Sequence, residues 1–397
     1  MANSRLRRAV ERFLVIESSS SIVLLLVTGL ALALANGPFA EAWADVLHLS
    51  HAHFVVNDAL MTIFFFVVGL EIRREVDRGE LADLRRASLP LATALGGMLV
   101  PAAIFYTVNR GRTSAHGWGT PMATDIAFAV GVLDLVSKRV PPALRVLLLA
   151  LAVIDDVGAI VVIAIFYASK LSLLGFAMAG AAITIVVVMR RANVRGALWY
   201  VVPGALLWFG IYRAGIHPTL AGVVLGLLTP ARPLEGEVEA PVDVLQHRLH
   251  RWVAFGVMPV FALVNAGVSV KGAGFTGDAG AAFLGVLGGL AIGKPIGVVV
   301  FGFAAVKLGF AAFPRGLGAR HLVVLGCAAG IGFTMATFIG QLGFPDAAHL
   351  AAAKLAILAG SGVAAVATLA VAVFALPRAI DRDAALTESE AESSDET

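Results

Sequence analysis

Twelve long apolar runs separated by short polar connections constrain this chain more than any other feature. They lie near 14–35, 55–70, 88–107, 122–136, 144–168, 172–189, 197–212, 216–229, 252–270, 281–306, 321–340 and 350–376. A helix needs about 20 apolar residues to cross a bilayer, so 397 residues hold about a dozen spans and no soluble domain beside them. Charged residues make up 14% of the chain and hydrophobic ones 59%, where a soluble domain has about 25% and roughly 45–50%. Lipid offers the backbone no hydrogen bonds, so the spans must be helices or a closed barrel. Runs of this length are helical, and the expected fold class is an all-α polytopic membrane protein with twelve transmembrane helices. The runs at 122–136 and 216–229 are short for a full span.

Basic residues orient the spans, because cytoplasmic loops are enriched in Lys and Arg. With the N-terminus inside, 23 of the 30 Lys and Arg residues fall on the inner side, 5 on the outer side, and Lys294 and Lys354 inside spans. A misplaced span would scramble that ratio. The expected localisation is a bacterial inner membrane, multi-pass, with both termini cytoplasmic. The expected organisation is a cytoplasmic N-terminus (1–13), a twelve-span domain (14–376) and a disordered acidic, Ser-rich cytoplasmic tail (377–397). Arg5 to Arg12 followed by the apolar 22–35 run also fits a cleaved signal peptide. An uncleaved first span keeps the topology even. The net charge of +3 calls for no nucleic-acid partner. The single cysteine, Cys327, excludes an internal disulfide and sits as a small packing residue in a Gly/Ala run.

Against this apolar background a few charges stand out. Asp155 and Asp156 lie near the middle of VLLLALAVIDDVGAIVVIAIFY, residues 146–167. Each Asp at a helix centre costs about 2.5–3.5 kcal/mol on insertion scales, and such a residue marks a functional site by default. Neighbours on a helix point about 100° apart, so the two are not an automatic chelating pair. One can face an ion cavity while the other meets a partner on another helix. Lys294, in GLAIGKPIG, also lies at membrane depth and must pair, with Asp155 or Asp125 as the nearest partners. Gly285, Gly289, Gly293 and Gly297 recur every four residues beside it and predict a smooth face for close helix packing.

Two runs carry signs of interruption. In TPMATDIAFAVG, Pro121 precedes Thr124 and Asp125, and Asp125 suits either a helix N-cap or the balance of exposed helix-dipole ends. In AAGIGFTMATFIG, residues 328–340, glycines crowd the middle and Thr334 can satisfy freed backbone. Interrupted segments in corresponding positions of two halves point to a transporter's binding site.

These stretches resemble the NhaA family of sodium/proton antiporters. The matching motifs are FFFVVGLEIRRE (64–75), ATDIAFAVGVL (123–133), LAVIDDVGAI (151–160), HPTLAGVVLG (217–226), PVFALVNAGV (259–268), IGKPIG (292–297) and GIGFTMATFI (330–339), in family order over nearly the whole chain. The resemblance implies inverted repeats with two discontinuous crossing helices. It implies exchange of cytoplasmic Na+, and Li+, for external H+, electrogenic at two protons per sodium, serving sodium and pH homeostasis with no cofactor. Asp156 would be the main ion- and proton-exchanging carboxylate, with sodium held at Asp156 and Asp155. Asp155 would pair with Lys294 in one state, and Asp125 and Thr124 would hold the helix crossing. Glu71, Arg74, Glu75, His247 and His250 fall where the family places a pH-responsive funnel, an ordinary set of interfacial charges being the equal alternative. Gln246 stands where the family pattern has an acid. The outer stretch 36–54 shows no strand alternation, so the β-hairpin through which family members form homodimers is expected to be truncated.

Two other functions use the same residues. A cation or proton channel would line its pore with these carboxylates and pass ions without exchange. A symporter for an organic acid would set Lys294 on the substrate carboxylate, and would call for more buried polar side chains than the runs contain. No nucleophile–base pair or metal cluster suggests an enzyme.

Overall fold

The computed structural model describes residues 2–168, 171–194, 196–233, 238–269 and 276–377, with side chains from residue 19 onward. The tail beyond 377 lies outside the described residues. Among the described residues every regular element is helical. Seven helices are long and apolar enough to cross a membrane: Ser19–Asn36, Ala52–Arg78, Leu84–Asn109, Pro142–Phe166, Leu173–Arg191, Gly277–Lys307 and Ala347–Ala375. Ala319–Ala329 and Phe333–Gly343 together make an eighth, bent by 52°.

Besides this broken pair, four of the twelve apolar runs do not form long uninterrupted apolar helices. The 122–136 run is a 3-10 turn over Thr113–Met122, a break, and the short helix Ile126–Leu135. The 197–212 and 216–229 runs give helices Val201–Arg213 and Leu220–Leu228. The 252–270 run contributes only the C-terminal half of a helix over 241–265, which contains a π-turn at Val253–Val257 and starts in a polar stretch. Hydropathy locates each of these runs but cannot say where the backbone ladder breaks inside one. The stretch 36–54 holds the helix Ala40–Leu49, none of whose residues is buried within the chain.

The four-residue glycine stripe on helix 277–307 packs as its spacing predicts. Gly285 faces Asn109 and Phe105, Gly293 faces Pro101, and Gly297 meets the backbone of Gly96, all on helix 84–109, while Gly289 packs first against Pro121 and then the Pro101 carbonyl. A Cβ at Gly297 would collide with the Gly96 carbonyl. Small residues let the two backbones approach where lipid gives no hydrophobic drive for helix association.

Two large apolar clusters hold most of the helices, while helices 173–191 and 201–213 pack together in a smaller one. One large cluster joins helices 84–109, 126–135, 142–166, 277–307, 319–329 and 347–375 through residues such as Met98, Leu133, Leu148, Val298, Leu325 and Ala364. A second joins helices 19–36, 52–78, 220–228 and 241–265 through Leu24, Phe65, Val223 and Phe261, and reaches across to Phe333, Met335, Phe338 and Ile339. Helix 333–343 thus lies at the seam between the groups.

Candidate functional site

The two interrupted segments meet at their breaks. The Asp125 amide donates to the Ile331 carbonyl at 2.7 Å, and the Thr124 hydroxyl donates to the Ala329 carbonyl at 3.0 Å. Groups that a helix break leaves without intrahelical partners are thereby satisfied by the other break. In a membrane interior this is the condition for having a break at all.

Asp125 caps two helices at once. Its Oδ1 accepts from the Phe128 amide of its own helix at 3.0 Å, and its Oδ2 accepts from the Thr334 amide of helix 333–343 at 3.0 Å and from the Thr334 hydroxyl. Each N-terminus carries about half a positive charge, so the carboxylate's charge is met by two dipole ends without a cation. N-capping and dipole balance, alternatives in the sequence, are one arrangement here. Ser361 Oγ, from helix 347–375, accepts from the Gly332 and Phe333 amides at 3.3 and 3.1 Å and completes the cap. Nothing in the small-residue run around Ser361 signals that role. Losing a cap costs about 0.5–2 kcal/mol. Asp125→Ala should therefore lower the thermal unfolding temperature in detergent by an amount equivalent to about 1–4 kcal/mol, and Asp125→Asn by less. An alanine variant that melts like the parent would show the double cap to be unimportant.

The neighbouring aspartates divide as helix geometry requires. Lys294 Nζ lies 2.6 Å from Asp155 Oδ2, with both side chains fully buried. The ammonium also donates to Thr124 Oγ1, and Thr124 Oγ1 lies 2.7 Å from Asp155 Oδ2. Lys294 starts the helical stretch that follows the π-turn Gly289–Gly293. A π-turn widens the backbone ladder by one residue, and here it stands just before Lys294 and Pro295, whose missing N–H already disturbs the ladder.

Asp156 points the other way, into a cavity at the seam between the two helix groups. Glu71, Thr124, Asp125, Asp156, His250 and Thr334 line it, among apolar neighbours such as Leu24, Phe64 and Met335. Its volume is about 60 Å³, room for a few waters at roughly 10–15 Å³ each on that measure. Asp156 is 2% exposed, and its Oδ1 has no hydrogen-bond partner among the described residues; the same is true of Asp155 Oδ1. An orphaned carboxylate oxygen on the wall of such a cavity, with a second one on the adjacent residue, is the kind of ligand a hard monovalent cation takes. The charges agree. Asp125 is met by helix ends and Asp155 by Lys294, which leaves Asp156 as the carboxylate without an ion-pair partner among the described residues.

The five other expected residues separate. Glu71 and His250 line the cavity. Arg74 reaches it through Gln246, donating to Gln246 Oε1 at 3.1 Å while Gln246 Nε2 donates to Glu71 Oε1 at 3.3 Å. Glu75 turns away and accepts from the Glu80 amide at 2.9 Å. His247 is exposed against the Asp243 carbonyl at 2.8 Å, outside the cavity.

A family model described as Na+/H+ antiporter 1 matches residues 11–372. The Na(+)/H(+) antiporter NhaA 2 of Myxococcus xanthus is 46% identical, with 98% of this chain and 93% of that protein covered. The Na(+)/H(+) antiporter NhaA 2 of Sorangium cellulosum is also 46% identical, over 98% of this chain and 94% of its own length. The Na(+)/H(+) antiporter NhaA of a Janthinobacterium species is 44% identical over 93% of each chain. The match runs through the glycine stripe, both breaks and the buried charges they enclose, and the chain belongs to the NhaA family of Na+/H+ antiporters.

Proposed function

We propose that this protein is a secondary active transporter that exchanges cytoplasmic Na+ for external H+, with Asp156 as the group both ions share. The observation that carries the reading is the Asp156 Oδ1 oxygen, buried on the cavity wall without a hydrogen-bond partner among the described residues, whereas Asp155 is paired with Lys294 and Asp125 is held by two helix ends. A carboxylate can hold a proton or a sodium ion but not both, so competition at one site couples the two fluxes. Sodium entering between Asp156 and Asp155 would draw Asp155 away from Lys294, and Lys294 without its partner is the natural source of a second proton. Two protons against one sodium move one net charge per cycle, worth about 2.3 kcal/mol per 100 mV. An inside-negative potential then drives sodium outward. Li+ uses the same oxygen ligands.

In this reading residues 14–376 form one transport domain of twelve spans, short and broken helices included, in the inner membrane. The segments 113–135 and 319–343 are the matching discontinuous elements of two inverted repeats. The 23-to-5 asymmetry of basic residues supports cytoplasmic placement of both termini. Glu71 and His250, on the cavity wall, are the residues through which pH would tune access.

Proteoliposomes with an acidic lumen and a trapped pH-sensitive dye test the exchange. External sodium should alkalinise the lumen, and an imposed membrane potential should change the rate. Equilibration of labelled sodium without proton movement would replace this reading with a channel.

A further inference from the structure

Three side-chain amides close a ring at the end of the bundle away from the cavity. Asn57 Nδ2 donates to Gln341 Oε1 at 2.6 Å, Gln341 Nε2 donates to Asn265 Oδ1 at 2.7 Å, and Asn265 Nδ2 donates back to Asn57 Oδ1 at 2.7 Å. Asn265 is fully buried. Asn57 Nδ2 makes a second, longer contact to Asn265 Oδ1 at 3.4 Å, and in such a ring neighbouring bonds polarise one another.

The ring's position matters more than its bonds. The cavity runs from Asp156 toward Glu71 and His250. Along helix 52–78, Asn57 lies about 21 Å from Glu71, and along helix 241–265, Asn265 lies about 22 Å from His250, at about 1.5 Å per residue. Gln341 lies about 10 Å beyond Thr334, on the side away from the cavity. Between ring and cavity stand Phe65, Phe261 and Phe338, with ring centroids of Phe65 and Phe338 5.1 Å apart and of Phe261 and Phe338 6.3 Å apart. The triad also ties helices 52–78 and 241–265 to helix 333–343, whose N-terminus is held by Asp125 and Ser361 from the other group.

We propose that Asn57, Asn265 and Gln341 form a latch that holds the far side of the ion site closed, and that its two bonds to Gln341 open when Asp156 gains access to the opposite face. This rests on the exchange reading above. Neutral amides suit a latch that must open in every cycle. They trade partners with water at little net cost, where a buried ion pair broken between the groups would leave two stranded charges. The bond between Asn57 and Asn265 lies within one group and persists in both states.

The test uses a Cys327→Ser parent, which removes the only cysteine, carrying Asn57→Cys with Gln341→Cys. A short bifunctional methanethiosulfonate joins the pair, and dithiothreitol releases it. Cross-linking should slow sodium-dependent proton movement in proteoliposomes at least tenfold, and reduction should restore it. The Asn57→Cys/Asn265→Cys pair, cross-linked in the same way, should exchange within twofold of its reduced rate. Undiminished exchange by the cross-linked Asn57/Gln341 pair would overturn the latch, as would equal inhibition of both pairs. A Cys327→Ser parent that moves no protons with sodium would instead defeat the exchange reading, and the latch with it. Gln341→Leu, free of cysteine chemistry, gives an independent measure. It should shift the half-saturating sodium concentration at least threefold in opposite directions on the two faces, and unchanged values on both faces would count against the latch.

Discussion

Asp156→Asn should abolish sodium-coupled proton movement and leave the protein folded. The amide has the shape of the carboxylate, so the packing around helix 142–166 survives. It can neither take up a proton in exchange nor offer a hard cation a negative charge. Truncating one partner of a buried charge interaction typically costs about 2–5 kcal/mol, roughly 30-fold to several thousand-fold at 1.4 kcal/mol per decade. The stability effect runs the other way. Asp156 has no ion-pair partner among the described residues, and removing a buried charge of that kind relieves a desolvation cost. The thermal unfolding temperature in detergent should hold or rise while luminal alkalinisation in proteoliposomes disappears. Sodium-dependent exchange near the parent rate in this variant would remove Asp156 from the site.

Lys294 is expected to behave in the opposite sense. Lys294→Met strands Asp155 as a fully buried carboxylate whose remaining polar partner is Thr124. Breaking a buried pair by removing one partner destabilises by about 3–5 kcal/mol, whereas replacing both partners with apolar or neutral groups is often close to neutral. Lys294→Met should therefore lower the unfolding temperature sharply, and adding Asp155→Asn should recover most of the loss. The deviation from additivity in this cycle measures the coupling of the pair. Two effects that simply add would mean that the 2.6 Å contact contributes nothing to stability. The contrast between the two predictions follows from one fact of helix geometry: adjacent residues face different surroundings.

Much of this arrangement was legible in the residues. The buried charges at Asp125, Asp155, Asp156 and Lys294 are conspicuous because lipid makes each of them expensive, and the glycine period of four announces the close contact with helix 84–109. The division of labour between Asp155 and Asp156 also follows from helix geometry. Which one pairs with Lys294 does not, because it depends on where a second helix crosses. Ser361 and the amide ring were invisible for a different reason. Ser, Asn and Gln near span ends are cheap enough to carry no signal alone, and only their convergence from separate helices gives them a role. Glu75 and His247 show the converse. Both sit on the expected helices, yet one turns toward the Glu80 amide and the other toward the Asp243 carbonyl, because the rotation of a helix about its axis is set by packing. The broken backbone at 122–125 and 330–332 was readable from Pro121, Thr124 and the glycines, whereas the π-turns at 253–257 and 289–293 had no counterpart in the pattern.

Calorimetric titration of sodium into the purified protein, repeated in buffers of different ionisation enthalpy, counts the protons released for each sodium bound. Ligands that must lose protons to bind a cation make its affinity fall with pH and release protons on binding. If sodium and protons compete at Asp156, binding releases protons, weakens as pH falls, and vanishes in Asp156→Asn. Sodium binding by the parent with no proton release, or undiminished binding by Asp156→Asn, would contradict exchange at this carboxylate.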